Sequence, residues 1–408
     1  MDKVSPSKSK FFITLLLKTL ISRNISFDQA FNKLTKKYGI RRSEARYLYK
    51  ISYYTLIYYH GLKYVAKYHG YGQSPLGILE YLSRIGFNFD YYREIASDIA
   101  KNMAKPVRLS IIHGYPLWFV KDLYDKISVK ELDSLLGSLN ERKRWIRVNT
   151  SKASVKEAIE CLEETGLLVE RHQVFSDILY VKDPFLKIGN NKCILNGLAL
   201  PQDISSYIAV KATGPYEGVI LDACSAPGIK LAQIMTTYNP VKTIAVDYSA
   251  KRTSYIKHIL NRVGIKGQVL IINGDSTLLE FNTKFNTILV DAPCSGSGAI
   301  YSDPAIKLRL TRDQLNKYRS LQIRLLDNLI KYGERIVYMT CSIHPSEGEE
   351  VIDEIYSKYR IELEELSFPM LSKGYKDYEI SNNTYRIVAD KVRGQGFFIC
   401  AFRTGDHK

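Results

Sequence analysis

The chain has 408 residues, a formal net charge of +16, 45% hydrophobic and 25% charged residues. These are the proportions of an ordinary soluble globular protein with material for two or three domains. Six cysteines, at 161, 193, 224, 294, 341 and 400, are too few for a disulfide framework and form no C-x-x-C pair, so no metal site is expected and a reducing, cytoplasmic interior fits better. The surplus of Lys and Arg points to a polyanionic partner, with RNA or DNA ahead of a membrane surface; the plainer alternative is charge that only keeps the protein soluble.

Residues from about 8 to 100 carry a helical pattern. The apolar run Phe11 to Leu17 is broken by Lys18 and is too short to span a bilayer. It also lacks the small-residue cleavage site of a signal peptide. Ser26 and Gln29 form a capping box that opens an amphipathic segment with Phe27, Ala30, Phe31 and Leu34. From Arg41 to Tyr68, Arg41, Arg42, Arg46, Lys50, Lys63 and Lys67 are interleaved with tyrosines. Such a surface can grip phosphates and stack on bases, but most of these tyrosines are expected to be helix core with their hydroxyls at the edge. Arg41, Arg42 and Arg46 are the better phosphate contacts. The mixed polar span Gly86 to Leu109 reads as a hinge.

Pro116, Trp118 and Phe119 begin a new helical pattern. Trp145 to Val148 is a short strand, Ser154 and Glu157 cap a helix reaching Thr165, and further short strands run to about Ala199. This is a small α+β module. From Gln202 strands and helices alternate. The strands are Val219–Ala223, Thr243–Val246, Val269–Ile272, Thr287–Val290 and Arg335–Met339; helices run from Lys230, over Ala250–Val263, and from a Thr311/Gln314 cap to Lys331. Pro345 suits a helix start. Glu362–Leu366 and Phe397–Phe402 supply two last strands. Such alternation predicts a mainly parallel sheet with helices on both faces. The expected division is residues 1–105, 106–200 and 201–408.

Ligands of open α/β sheets bind beyond the carboxyl ends of the strands. There the chain places the loop Leu221-Asp-Ala-Cys-Ser-Ala-Pro-Gly-Ile-Lys230, then Asp247, then Asp275. A carboxylate at the second strand end can bond ribose hydroxyls, and Asp275 can accept from an adenine amino group. Each aspartate alone could be a turn or cap residue; together at successive strand ends they favour a pocket. With no G-x-G-x-x-G there is no pyrophosphate cradle, which suits S-adenosylmethionine better than a dinucleotide and makes an oxidoreductase remote. Asp291-Ala-Pro-Cys294 and Thr340-Cys341-Ser342 follow two of the strands. Cys161, Cys193 and Cys400 are expected to be small buried hydrophobes, whereas Cys294 and Cys341 sit at the rim where substrates lie. A thiolate adding to carbon 6 of cytosine makes carbon 5 nucleophilic enough to accept a methyl group. Asp291 could bond ring nitrogen 3 during addition if it is protonated or shares a proton with the base. The base must leave its stack for this.

These residues carry a resemblance. Asp291-Ala-Pro-Cys294, and Thr340-Cys-Ser342 with Pro345, Glu347 and Glu349, resemble the paired cysteine motifs of the Nop2/Sun RNA cytosine-5 methyltransferases. Leu221 to Lys230 resembles that family's cofactor loop, and Gln202-Asp203 and Gly396-Phe-Phe398 also fit. The similarity covers about Pro116 to Arg403; the helical N-terminal part resembles the NusB-like domain of the family's bacterial small-subunit rRNA enzyme. The resemblance implies a class I (Rossmann-like) methyltransferase sheet with an all-α NusB-like N-terminal domain and a small α+β middle module that helps to bind RNA. It implies Cys341 as nucleophile and Cys294 as the residue that aids product release. S-adenosyl-L-methionine would meet Cys224, Ser225, Ala226, Pro227, Gly228, Ile229, Lys230, Asp247, Asp275 and Asp291, with Arg252 as a lesser contact. The chain departs from the family at Ile229 (usually glycine), Leu231 (threonine) and Gly348 (asparagine). The expected function is methylation of carbon 5 of a cytosine in RNA by a monomer, rRNA ahead of tRNA. The rival is an RNA-binding assembly factor with little catalysis.

Overall fold

The computed structural model describes residues 4–405. The chain divides into two compact units, Met1–Glu141 with Ala299–Thr311, and Arg142–Gly298 with Arg312–Lys408.

The first unit is helical: Pro6–Ser22, Phe27–Lys37, Arg42–Ile57, Tyr59–Tyr68, Pro75–Arg84, Phe89–Ala100, Lys105–His113, Leu117–Tyr124 and Val129–Asn140. The Ser26/Gln29 capping box forms as expected, and Phe27, Ala30, Phe31 and Leu34 are the buried face behind it. Phe12, Leu16 and Leu17 of the first apolar run face the core. No helix among the described residues is long and apolar enough to cross a membrane. Arg41, Arg42 and Arg46 are exposed as anticipated, but of the tyrosines between them and Tyr68 only Tyr53, Tyr58 and Tyr59 are buried; Tyr47, Tyr49, Tyr54 and Tyr64 are half-buried and Tyr68 is exposed, so fewer are core than expected.

The hinge expected between Gly86 and Leu109 is two helices instead. Asn88 caps the first through Asp90 and Tyr91 N–H, and its polar residues lie outside a buried Tyr92, Ala96 and Ala100 face. Pro106 falls in the first turn of the second, where a missing N–H costs nothing. Residues 106–141 accordingly pack with the helices, beyond the boundary expected at 105.

The helical pattern from Arg42 to Tyr68 breaks at Tyr58. Gly114, at φ +67°, approaches so closely that a Cβ would lie 2.5 Å from Tyr58 Cα. Into this break comes Lys307, from the segment 299–311. Its Nζ donates to Ile57 O (2.6 Å), His113 O (2.6 Å) and Asn140 Oδ1 (2.7 Å), 3.6 Å from the centre of the Tyr115 ring. Two helix C-termini are thereby capped by one fully buried amine. Burial pushes that amine towards deprotonation; three oxygens and a ring face oppose the push. His60 Nε2 lies 3.0 Å from Lys307 O, and burial lowers its pKa to about 4. A basic group depressed on folding contributes stability above its unfolded pKa and loses it as pH falls through the folded one. Between pH 6.5 and about 4 the helical unit should therefore lose up to roughly 3 kcal/mol through His60. Denaturant titrations of wild type and His60→Gln across that window check this: equal acid sensitivity would disprove it.

The second unit holds two sheets. Strands β1 (Trp145–Val148), β2 (Val169–Arg171), β3 (Ile178–Val181) and β4 (Ala199–Pro201) form an antiparallel sheet in the order β2-β3-β1-β4. The Ser154/Glu157 capping box starts the helix Val155–Glu164 packed with it. Cys161 and Cys193 are joined by a disulfide, which corrects the expectation of two free thiols. The helix and the turn after Asn191 place their Cα atoms 6.0 Å apart, within bridging range. Cys400 is free and buried, as expected.

The main sheet has β5 (Val219–Asp222), β6 (Lys242–Asp247), β7 (Val269–Asn273), β8 (Thr287–Asp291), β9 (Arg335–Thr340), β10 (Ile361–Leu363), β11 (Leu371–Lys373), β12 (Tyr385–Ile387) and β13 (Phe397–Thr404). Their order is β11-β12-β13-β9-β8-β5-β6-β7, with β10 beside β13. β5 to β9 are parallel, and β13 closes against β9 antiparallel. The strand order reverses direction at β5 and β8, which puts the ligand crevice beyond Asp222 and Asp291. Helices Ile204–Ala212, Ile229–Tyr238 and Ala250–Val263 bury apolar faces in the core clusters of this unit, as does Arg312–Leu329.

Candidate active site

A cleft of about 700 Å³ opens at the carboxyl ends of the parallel strands. Its first wall is the turn after β5. Ser225 N–H donates to Val246 O (2.8 Å) and Ala226 N–H to the Asp247 carboxylate (3.2 Å), so the turn is stitched to the end of β6. Gly228 has φ +98° and a Cβ there would lie 3.2 Å from Ile256 Cα, so a side chain would be both strained and crowded. The helix Ile229–Tyr238 starts directly after it.

Of the residues expected around a cofactor, Cys224, Ala226, Ile229, Lys230, Asp247, Arg252, Asp275 and Asp291 line the cleft; Ser225, Pro227 and Gly228 shape the turn behind it. Asp247 is almost fully buried and accepts from Ala226 and Ser249 N–H, with Arg252 Nη2 3.4 Å away. Asp275 Oδ1 accepts from Thr277 N–H and Oγ1, the turn-forming role weighed against a ligand role. Ile229 faces the cleft and also packs on the cluster containing Leu200, Ala226 and Leu231. Tyr248, highly exposed beside Asp247, Gln202 and Asp203 before the first helix, and Phe397 also line the cleft. Tyr248 had a signal in the sequence, an aromatic residue one place after a strand-ending acid.

At the other end lie the two thiols. Cys294 Sγ and Cys341 Sγ are 3.4 Å apart, and both line the cleft. The hydrogen bond with Cys341, burial and the nearby Glu347 together hold the Cys294 thiol well above its usual range, so Cys294 keeps its proton. Lys230 Nζ donates to Asp291 Oδ2 at 2.6 Å and stands 5.2 Å from the centre of the Phe397 ring. Burial depresses the Lys230 ammonium, but Asp291, Cys341 and Asp222 more than reverse this and leave its pKa raised. Behind the pair, burial pushes the Asp222 carboxyl up to about 7.

The loop after Cys341 is fixed from both sides. Gly298 N–H donates to Cys341 O (2.9 Å), Ser297 Oγ meets Ser342 Oγ (2.9 Å), and Tyr375 OH donates to Ile343 O (2.8 Å). Arg386 on β12 forks onto the buried Glu349 carboxylate, and its guanidinium lies 3.9 Å from the Tyr375 ring centre. Gly348, which the resemblance gives as asparagine, has no room for a side chain: a Cβ would lie 2.7 Å from the Phe398 ring and 3.2 Å from Arg386 Nη2.

The parallel sheet, the acid-ended strands and the crevice between β5 and β8 define the class: a class I methyltransferase domain, here joined to a small α+β module and a helical unit. Residues 213–403 match the family profile of the 16S rRNA methyltransferase RsmB/F, and residues 115–186 match the ferredoxin-like domain of RsmF/B-like methyltransferases. Residues 213–403 are therefore an RsmB/F (Nop2/Sun) family RNA methyltransferase domain, preceded by the ferredoxin-like domain found in RsmF/B-like methyltransferases. It is 31% identical over 251 residues to ribosomal RNA small subunit methyltransferase B of Cronobacter sakazakii, covering 60% of this chain and 58% of that protein. It is 28% identical over 308 residues to the probable enzyme of that name from Bacillus subtilis, covering 72% and 68%. The chain thus matches little more than half the length of the Cronobacter relative. The crystal structure of PH0851 shares the fold across 98% of this chain and 99% of its own, with a TM-score of 0.78 and 22% identity. The helical N-terminal region fits the NusB-like domain anticipated from the sequence.

Proposed function

We propose that the protein transfers a methyl group from S-adenosylmethionine to carbon 5 of a cytosine in RNA, with small-subunit rRNA as the favoured substrate. The observation that carries this is the pair of thiols 3.4 Å apart at one end of a cleft whose other end is walled by Asp247, Tyr248 and Asp275. A cleft of about 700 Å³ is within the range of cofactor sites. Carboxylates at successive strand ends suit ribose hydroxyls and an adenine amino group, and the exposed Tyr248 ring offers a face beside them. S-adenosylmethionine supplies an electrophilic methyl group on a sulfonium.

In this scheme the Cys341 thiolate adds to carbon 6 of an unstacked cytosine, and the electron pair of the C5–C6 double bond becomes an enamine reactive at carbon 5. Lys230 and Asp291 face the ring together: the ammonium shares its proton with the carboxylate, which can hold ring nitrogen 3 during addition. After methylation a base removes the carbon 5 proton, those electrons restore the double bond, and the carbon 6–sulfur bond breaks. The Cys294 S–H stands 3.4 Å from the departing sulfur and can donate to it. Cys294→Ser should therefore leave attack intact and slow release. Mixed with total cellular RNA and S-adenosylmethionine, this variant should give a covalent protein–RNA band on a denaturing gel. The double variant with Cys341→Ser should give none. Sequencing the trapped RNA identifies the substrate; a variant that forms no adduct while wild type methylates would refute this division of roles.

A further inference from the structure

Glu347 does not line the cleft and has no part in the steps above, yet its side chain is fully inaccessible to solvent. It is bonded to the elements that carry both cysteines. Its backbone carbonyl accepts from Tyr338 OH (3.0 Å) and Thr340 Oγ1 (3.0 Å), both on β9, the strand that delivers Cys341 as the next residue. Its carboxylate accepts from Ser295 N–H (2.7 Å) and Ser295 Oγ (2.5 Å), the residue adjoining Cys294. Glu347 itself is held in a single tight turn, Pro345–Glu347, with Gly348 N–H closing onto Pro345 O (3.0 Å). The following Glu349 is clamped by Arg386. From the far side, Gln322 Nε2 donates to Pro293 O (2.8 Å) and keeps the Cys294 loop against that turn. Backbone on one strand and carboxylate on the other loop make Glu347 a spacer whose length fixes how far apart the two sulfurs stand.

A charged clasp is an expensive choice for a purely structural tie, because a buried carboxylate needs compensation that an apolar contact does not. Burial raises the Glu347 carboxyl, and hydrogen bonding from Ser295, Ser342 and Gln322 works against that rise. What the negative charge adds is a field at Cys294, where it favours the protonated thiol. Release of product, in the scheme above, needs that proton at that distance.

We propose that Glu347 is a positioning residue for product release, holding the Cys294 S–H where it can be given to the Cys341 sulfur as the carbon 6–sulfur bond breaks. This rests on the role assigned to Cys294 under Proposed function. It separates Glu347 from residues that only keep the domain folded, because loss of the clasp should slow one step and spare the step before it.

The test compares Glu347→Ala, Glu347→Gln, Ser295→Ala and Cys294→Ser with wild type in the adduct assay with cellular RNA, alongside calorimetric titration of S-adenosylmethionine. Glu347→Ala should accumulate the covalent RNA adduct as Cys294→Ser does, with release slowed by about 10²-fold, the size of effect a misplaced reacting group produces. Its cofactor affinity should match wild type. Ser295→Ala removes the hydroxyl bond to the carboxylate and should slow release by about tenfold, the worth of one charge-assisted hydrogen bond. Glu347→Gln keeps an acceptor for Ser295 N–H and should release faster than Glu347→Ala. Wild-type release in Glu347→Ala, or loss of adduct with cofactor binding intact, overturns the proposal. Should Glu347→Ala fail to fold, wild-type release in Ser295→Ala overturns it equally. Absence of adduct in Cys294→Ser itself would instead remove the role of Cys294 on which the proposal stands.

Discussion

Lys307→Met is expected to destabilise the helical unit by about 3–5 kcal/mol, the range seen when one partner of a buried charged network is removed. The Lys307 amine meets three oxygens at 2.6–2.7 Å and a ring face. Methionine fills similar volume but donates nothing, so Ile57 O and Asn140 Oδ1 lose their donor in a place that water does not reach, and His113 O keeps only the Asn140 Nδ2 donor. Each such orphaned acceptor costs about 1–3 kcal/mol, and relief from burying a charge returns part of the sum. Two of the three oxygens end helices, where the partial negative charge of the helix terminus adds to the need for a cation. Lys307→Arg should not rescue the fold, because a planar fork cannot direct its hydrogens to three converging oxygens. Denaturant titration followed by circular dichroism measures this. A lower midpoint with an unchanged slope is the expected signature, and the transition of the helical unit should fall by about 10 °C. A loss below about 1 kcal/mol would mean that the three bonds are replaced by water or rearrangement.

Lys307 also shows where sequence reasoning stops. Ile306-Lys-Leu-Arg309 looks like a solvated basic turn, since nothing local announces that a lysine will cap helices far earlier in the chain. The disulfide between Cys161 and Cys193 was hidden for the same reason, as its closeness is made by the fold of the α+β module. What was legible is what obeys a local period. The Ser26 and Ser154 capping boxes follow from a three-residue spacing, and both form. The parallel strands were recognisable because strands buried on both faces are unbroken β-branched runs. The expected hinge at Gly86 to Leu109 failed because polar composition does not by itself mark a break; a capped helix with a narrow buried face looks the same in composition. In the cleft, the residues at strand ends could be named in advance, including both cysteines and Asp291. Glu347 could be named only as part of a motif and Arg386 not at all, because both act through bonds to partners on other loops.

Cys341→Ser should reduce methyl transfer by at least about 10³-fold, the scale on which loss of an activated nucleophile acts. A serine hydroxyl keeps the geometry but is not a nucleophile near neutral pH without a base to take its proton. The choice of Cys341 over its neighbour follows from the surroundings of the two sulfurs. Cys294 is held protonated by its hydrogen bond to Cys341, by burial and by Glu347. Lys230 is kept charged by Asp291 first and by Cys341 after it. The hydroxyl that replaces this thiol cannot form the adduct, so no covalent RNA band should appear even when Cys294 is also replaced. Cofactor binding should be preserved within about twofold, because the carboxylates expected to hold the adenosine lie at the other strand ends. The opposite pattern, with RNA trapped by Cys341→Ser and lost in Cys294→Ser, would exchange the roles of the two thiols while leaving the fold and the cleft as described.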